Sequence, residues 1–319
     1  MDATLQRSAI RPLERCGLQS WPAWFSTEET WADRDLGLRL HHIGGMLVAV
    51  ASEVDAPLFN RAIGIGQVVP ADPSLIPYLI QVYRDAGVPA FYVQVTPTAE
   101  PEGIGDWLRE HGFRQASPWA RLVRGMEPVD DPHARAASRR VEIVETGTSR
   151  LPYSVFGQVV QRACCYPVTT VPWFELFIGR RGWRHYLAID RRKGRVVGAA
   201  AWFRVGRLAS LEIAAVVPEA RGRGIHSALV ARQLRDAAEE GCARATIETA
   251  VDDSDWRGQA YRNARRLGFE LAYFTANWEW RESWDMPRHF TLKRATALPP
   301  NWKQDTDEYR WFWRRLGGS

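Results

Sequence analysis

Ala215-Val216-Val217-Pro218-Glu219-Ala220-Arg221-Gly222-Arg223-Gly224-Ile225-His226-Ser227-Ala228-Leu229 is the stretch that decides the reading of this chain. An apolar run of strand type stops at Pro218, an Arg/Gly turn follows, and a helix-periodic segment begins near Gly224. Glycines at 222 and 224 let the backbone bend sharply enough for several N–H groups to converge on one point. The positive end of the next helix dipole adds to them, which makes a seat for a phosphate. Arg221 and Arg223 bring formal positive charge to its rim.

Outward from that turn, 140–145 reads as a strand and 153–164 as a helix. Segments 183–190, 195–204 and 208–217 read as successive strands, with Arg191-Arg192-Lys193-Gly194 as a hairpin turn. Segment 225–240 carries Leu229, Ala231, Leu234 and Ala238 at helical spacing and stops at Gly241. A strand at 245–250, a helix at 258–267 and a closing strand at 269–280 follow. Earlier in the chain, 36–42, 46–52 and 60–65 are strand-like, 73–86 helical, 90–96 a strand, 104–111 a helix and 113–124 a strand. The endings His111-Gly112-Phe113 and Leu267-Gly268-Phe269 lie 156 residues apart, and the strands opening near Phe91 and Ala245 are offset by 154. Two landmarks at nearly one offset predict a duplicated unit. A polar, Pro-containing stretch at 126–138 separates the copies.

The turn at 221–226 resembles the acyl-CoA signature of the GNAT N-acetyltransferase superfamily, Arg/Gln-x-x-Gly-x-Gly/Ala. Arg221 and Gly224 match it, and His226 departs from it at the last position. The element order ending in helix, Gly-Phe and strand is similar to the GNAT fold. The resemblance covers roughly residues 20–282, by motif in the second half and by architecture alone in the first. It implies an α/β fold class: two tandem GNAT folds, each a mixed, mostly antiparallel central sheet flanked by helices. The expected domains are a degenerate GNAT-like domain at 1–127, an acyl-CoA-binding GNAT domain at 128–282, and an aromatic and basic tail at 283–319. The earlier turn, Gly64-Ile65-Gly66-Gln67-Val68-Val69-Pro70, offers no arginine and no phosphate turn leading into a helix, so that copy reads as a scaffold or a wall. Gly182-Trp183-Arg184-His185-Tyr186-Leu187-Ala188, Glu248-Thr249 and Tyr261-Arg262-Asn263 resemble a narrower group of tandem GNAT proteins. That likeness names no substrate.

Acyl transfer from a thioester to an amine needs a seat for the coenzyme, a donor to the developing oxyanion, a base for the ammonium and a tolerated thiolate. By the resemblance, Arg221, Gly222, Arg223, Gly224, Ile225, His226 and Ser227 form the seat. The backbone of Ala215, Val216 and Val217 would pair with the pantetheine and polarise the thioester carbonyl. Pro218 cannot donate and ends that pairing. Glu212 is the first candidate base: 212, 214 and 216 share one face of a strand, and apolar neighbours raise a carboxyl pKa by desolvation. A carboxylate satisfied by a neighbouring Arg is the competing reading. Glu248 is the second candidate. His226 is expected to serve through its N–H, with its ring towards solvent. Many GNAT enzymes place a Tyr four residues before the Gly of Gly-Phe as the general acid; here that position is Ala264. Tyr261, one turn earlier, either substitutes or packs, and Asn263 beside that position joins the coenzyme-binding set. Cys164 and Cys165 read as packing thiols, with a covalent acyl route as the alternative.

The whole chain bounds these readings. Its 319 residues are 45% apolar and 25% charged, an ordinary globular balance with length for two domains. The formal charge of +5 suits a polyanionic ligand such as coenzyme A without implying nucleic acid. Four cysteines show no metal-ligand spacing, so no metal is expected. No apolar run approaches the ~20 residues of a membrane span, and 1–18 holds no signal-type stretch. A cytoplasmic protein with no membrane partner is expected. The tail, with Trp284, Trp302, Trp311, Trp313 and Arg314-Arg315, reads as an amphipathic element docked on the body or on a second subunit rather than a nucleic-acid arm. Monomer and homodimer both stay open. The expected activity is acyl-CoA-dependent N-acyl transfer, with acetyl-CoA or another acyl-CoA as co-substrate and a small-molecule amine as acceptor, catalysed by the second domain. Two competitors remain: a GNAT scaffold recruited for a lyase or hydrolase step on a biosynthetic intermediate, and an RNA- or aminoacyl-tRNA-linked acyltransferase.

Overall fold

The computed structural model describes residues 7–25, 35–54, 57–146, 153–250 and 256–284. In chain order these form α1 (Arg7–Trp24), β1 (Leu38–Ile43), β2 (Met46–Ala51), β3 (Arg61–Ile63), α2 (Leu75–Asp85), β4 (Ala90–Val95), α3 (Ile104–Glu110) and β5 (Arg114–Gly125). Then come α4 (Pro132–Ser138), β6 (Val141–Glu145), α5 (Ser154–Cys164), β7 (Trp183–Asp190), β8 (Val196–Val205), β9 (Leu208–Val216), α6 (Ile225–Glu239), β10 (Arg244–Ala250), α7 (Trp256–Arg266) and β11 (Glu270–Arg281). The class is α/β, with mixed, mostly antiparallel sheet flanked by helices. The described residues divide into two compact units, those up to 124 together with 246–284, and those of 125–245. These are not the contiguous blocks 1–127 and 128–282. The tail from 285 onward lies outside the described residues.

In the first unit the strand order is β1-β2-β3-β4-β11-β5-β10. Strand β11 lies between β4 and β5, antiparallel to both, with Trp278 opposite Val93 and Tyr273 opposite Arg121. This is why contiguous blocks fail as domains. The two copies β4–α3–β5 and β10–α7–β11 interleave, each placing its last strand beside the first strand of the other. Their helices end alike. Gly112 (φ 84°) and Gly268 (φ 83°) occupy the left-handed region that only glycine enters without strain. Phe113 N–H donates to Leu108 O, and Phe269 N–H to Ala264 O, both at 3.0 Å. These are the long bonds of a Schellman ending, repeated at the spacing read from the sequence.

Burial explains the exchange. Trp278 and Trp280 of β11 sit in one core with Val48, Tyr83, Phe91 and Leu108. Phe91 stacks on Tyr83 at 3.9 Å between centroids and meets Trp280 at 5.5 Å. Helix α1 was not foreseen. Pro12 and Pro22 fall inside it, and prolines read as helix breakers. It forms because Ile10, Leu13, Cys16 and Trp21 bury one face.

The second unit has the order β9-β8-β7-β6, all antiparallel. Successive residues of β7 point to opposite faces. His185 stacks among Phe156 of α5, Phe177 and Trp183, while Tyr186 bonds Trp202 and lies under Arg232 of α6. Helix α5 therefore covers one face and α6 the other. The stretch read as a separator holds α4. Asp131 caps it by accepting from His133 N–H at 2.7 Å, with Pro132 at the first helical position.

Two ionisable groups of this unit are displaced by burial alone. Desolvation pushes His185 down to about 3 and Glu175 up to about 7. Oε1 of Glu175 is buried with no partner among the described residues. A carboxyl whose folded value lies above its unfolded one contributes fully below pH ~4.5 and loses that contribution as pH rises towards 7. Glu175→Gln is therefore expected to gain stability over the native chain as pH rises through that window, by roughly 3 kcal/mol at most. Urea midpoints at pH 5 and pH 8 check this, and an equal gain at both would contradict it.

Candidate functional site

The candidate site is built where β9 runs out. Strand β9 pairs with β8 from Leu208 opposite Val205 to Val216 opposite Gly198. Val217 N–H then donates to Val197 O at 3.1 Å. Pro218 offers no donor and opens a short 3-10 turn over Pro218–Ala220. In an antiparallel ladder, residues alternate between facing the partner strand and facing away. The bond from Val217 therefore puts the Ala215 N–H towards β8, and the N–H groups of Ala214 and Val216 on the opposite side of the strand.

The turn that follows needs its glycines for two different reasons. Gly222 (φ 74°) and Gly224 (φ 75°) are both left-handed. Among the described residues, a Cβ on Gly222 would meet nothing within 4 Å. A Cβ on Gly224 would lie 2.3 Å from the carbonyl oxygen of His133, so this position admits no side chain. Gly224 is also the N-cap of α6 and brings no side-chain acceptor to the first-turn N–H groups. Ala228 N–H makes the first helical bond to Gly224 O at 3.0 Å. Ile225 and Ser227 are buried, and Arg223 is exposed. The arrangement fits a phosphate: a helix start whose N-cap glycine brings no acceptor, a positive dipole end, a left-handed glycine and a nearby cation.

Two expectations change here. Arg221 does more than stand at the rim: Nη2 donates to Ala163 O at 2.7 Å and Nε to Val216 O at 3.3 Å. It braces the turn against the ends of α5 and β9. Arg162 bonds Glu219 at 2.7 Å alongside. His226 is half-buried with Nδ1 enclosed, so its ring does not stand in solvent as expected. Burial of its neighbours Ile225 and Ser227 draws the first turn of α6 inward.

Glu212 sits in an irregularity. Ala201 is opposite Ile213, but Trp202 is opposite Leu211, so Glu212 is an extra residue in β9. The even alternation assumed for 212, 214 and 216 is interrupted at that point. The side chain is half-buried, and the buried Ser210 hydroxyl donates to Oε1 at 2.7 Å. No sequence signal marks the insertion, because an extra residue in an apolar strand leaves the composition unchanged.

The remaining nominated residues belong to the other unit. Glu248 pairs with Arg121 of β5 at 3.2 Å, side chains 17% and 9% exposed. The buried Tyr273 beside this pair has its phenol raised by desolvation, with Arg121 opposing. Arg121 was not singled out from the sequence. Tyr261 is half-buried on α7, and Asn263 accepts from Gln259 at 2.9 Å and Arg266 at 3.3 Å. Ala264 is buried packing. The earlier turn differs from the later one: Glu100 N–H donates to Gly66 O at 2.9 Å, Ala71 N–H to Glu100 O at 2.7 Å, and Gln67 Nε2 to Thr96 Oγ1 at 3.1 Å. A Cβ on Gly66 would strike Glu100 backbone at 2.5 Å. That turn is stitched to its own chain. A cavity of about 550 Å³ in the second unit, lined by Val141, Ile143, Ala228 and Leu234, includes none of the nominated residues. Among the described residues, no group of three His, Cys, Asp or Glu is placed to hold a metal, and no helix is long and apolar enough to cross a membrane.

Residues 159–269 match the acetyltransferase (GNAT) family model, so the chain carries a GNAT domain there. A search of curated proteins found no match. Among solved structures, the chain is similar to a GCN5-related N-acetyltransferase from Kribbella flavida, with 17% identity, TM-score 0.56, and 85% of this chain and 96% of that one covered. A GCN5-related N-acetyltransferase from Sphaerobacter thermophilus gives 17% identity, TM-score 0.52, and coverage of 86% and 93%. A functionally unknown conserved protein from Staphylococcus epidermidis gives 12% identity, TM-score 0.51, and coverage of 80% and 98%. At these identities the likeness is one of fold.

Proposed function

From a GNAT domain at 159–269, we propose that this chain is an acyl-CoA-dependent N-acyltransferase whose second unit seats the coenzyme, with acetyl-CoA as donor and a small-molecule amine as acceptor. The observation that carries the reading is the turn from β9 into α6, with two left-handed glycines and no side-chain cap. The diphosphate rests on the N–H groups of 222–227, Arg223 adds charge, and Arg221 holds the turn in shape. The thioester lies along β9, where an outward N–H of Ala214 or Val216 polarises its carbonyl.

Glu212 takes a proton from the acceptor ammonium. The freed amine attacks the acyl carbon, the C–N bond forms, the C–S electron pair leaves with sulfur, and the nitrogen gives up its second proton to solvent. Ser210 keeps the carboxylate aimed by donating to one oxygen. Ala264 offers no acid, and none is required. A thiol with pKa about 8.5 departs as thiolate near neutral pH and takes its proton from solvent. Glu248 is already engaged by Arg121, so Glu212 is the base in this reading. The first unit acts as scaffold, since its corresponding turn is bonded to Thr96 and Glu100 rather than open.

Gly222→Val tests the seat. The left-handed backbone costs the variant about 1–2 kcal/mol, but no described neighbour lies within 4 Å of its Cβ, so the protein is expected to stay folded while the valine stands over the turn. Calorimetric titration with coenzyme A is expected to show binding by the native chain and a loss of at least about thirtyfold in the variant. Equal affinity in both would remove the turn from the site.

A further inference from the structure

We infer that Gln233 is a positioning residue that pins the inserted residue of β9, and with it both Glu212 and the outward amides of Ala214 and Val216. The inference rests on the reading of the second unit as an acyl-CoA site. Gln233 lies on α6, one turn beyond Leu229, whose Cδ1 would be 3.0 Å from a Cβ on Gly198 of β8. This face of α6 is the one against the sheet, where an apolar residue would serve packing alone. Gln233 is instead a primary amide with no exposed surface. Burying an amide costs about 1–3 kcal/mol wherever its hydrogen bonds are not replaced.

Its Nε2 makes two bonds, to Ala201 O at 2.8 Å and to Ile213 O at 3.1 Å. Those carbonyls belong to different strands, and Ala201 and Ile213 are the last regular pair before the register slips to Trp202 opposite Leu211. One NH2 group thus clasps β8 to β9 where the extra residue, Glu212, enters. Bulged strands bend and twist locally, and the side chains next to a bulge are re-aimed. Fixing the Ile213 carbonyl fixes the peptide planes on both sides of it. Glu212 stays on the Ser210 side, and the N–H groups of 214 and 216 stay on the far side of the strand. Gln233 touches no reacting atom; it acts through β9. Without its donors the insertion is free to migrate along β9, and a shift of one residue exchanges the outward and inward amides.

The test is the thioester carbonyl of acetyl-CoA labelled with carbon-13, followed by NMR in the full chain. Bound to the native protein, the carbonyl resonance should move downfield of free acetyl-CoA, because an N–H donor polarises it. Gln233→Met keeps length and volume but removes both donors. It should lose at least half of that displacement, while its affinity for unacylated coenzyme A stays within about threefold of native. A full displacement in Gln233→Met overturns the inference and leaves the acyl-CoA reading intact. No acetyl-CoA binding by the native chain overturns the reading and the inference together. If Gln233→Met does not fold, the native side-chain amide resonance of Gln233 decides. It should shift with acetyl-CoA and not with coenzyme A, and an equal response to both overturns the inference.

Discussion

A polypeptide ending at residue 127 will not fold, although it contains a full sequence copy of strands and helices. Strand β11 is missing from it, and β11 is the strand between β4 and β5. Without it, Phe91 and Val93 lose the cover of Trp278 and Trp280, and two strands lose their ladder partner. Truncating one buried tryptophan to alanine costs about 3–5 kcal/mol, and a whole domain is stable by only about 5–15 kcal/mol. Losing both indoles and the ladder exhausts that margin. Joining 246–284 to the fragment through a flexible linker is expected to restore a cooperative transition. Near-ultraviolet circular dichroism and urea unfolding check this. A native-like cooperative transition in residues 1–127 alone would show that the exchange of strands is dispensable.

Glu212→Gln should lower kcat by about 10²–10⁴-fold, the usual contribution of a positioned general base. The amide is nearly isosteric and can still meet the Ser210 hydroxyl, so the strand irregularity should persist and the affinity for acetyl-CoA should change little. The comparison of kcat with Kd therefore separates a base from a structural acid. Steady-state assays with acetyl-CoA and an amine library, read by mass spectrometry, supply the numbers. An unchanged kcat would reduce Glu212 to a strand residue satisfied by Ser210, and would turn attention to Glu248 and its partner Arg121.

Local chemistry was legible in the sequence wherever one residue type decides the backbone. The Gly112 and Gly268 helix endings, the hairpin strands β7, β8 and β9, and the Arg/Gly turn all stand within two residues of their expected places. What was hidden depends on partners distant in sequence. Nothing in 270–281 tells whether that strand pairs at home or beside β4, because its alternating apolar pattern suits either place. Asp131-Pro132 did carry a helix-start signal, but a polar stretch of seven helical residues was read as a separator. Helix α1 was concealed by Pro12 and Pro22. In the site, glycine chemistry announced the turn. The insertion at Glu212, the bracing by Arg221 and the amide clasp of Gln233 became visible only once strand register and hydrogen-bond partners were known.

The most direct measurement is a crystal structure of the protein grown with coenzyme A. Diphosphate oxygens are expected within hydrogen-bond distance of main-chain N–H groups between Gly222 and Ser227, with pantetheine running beside Ala214–Val216. Coenzyme A bound anywhere else, with that turn untouched, would contradict this placement.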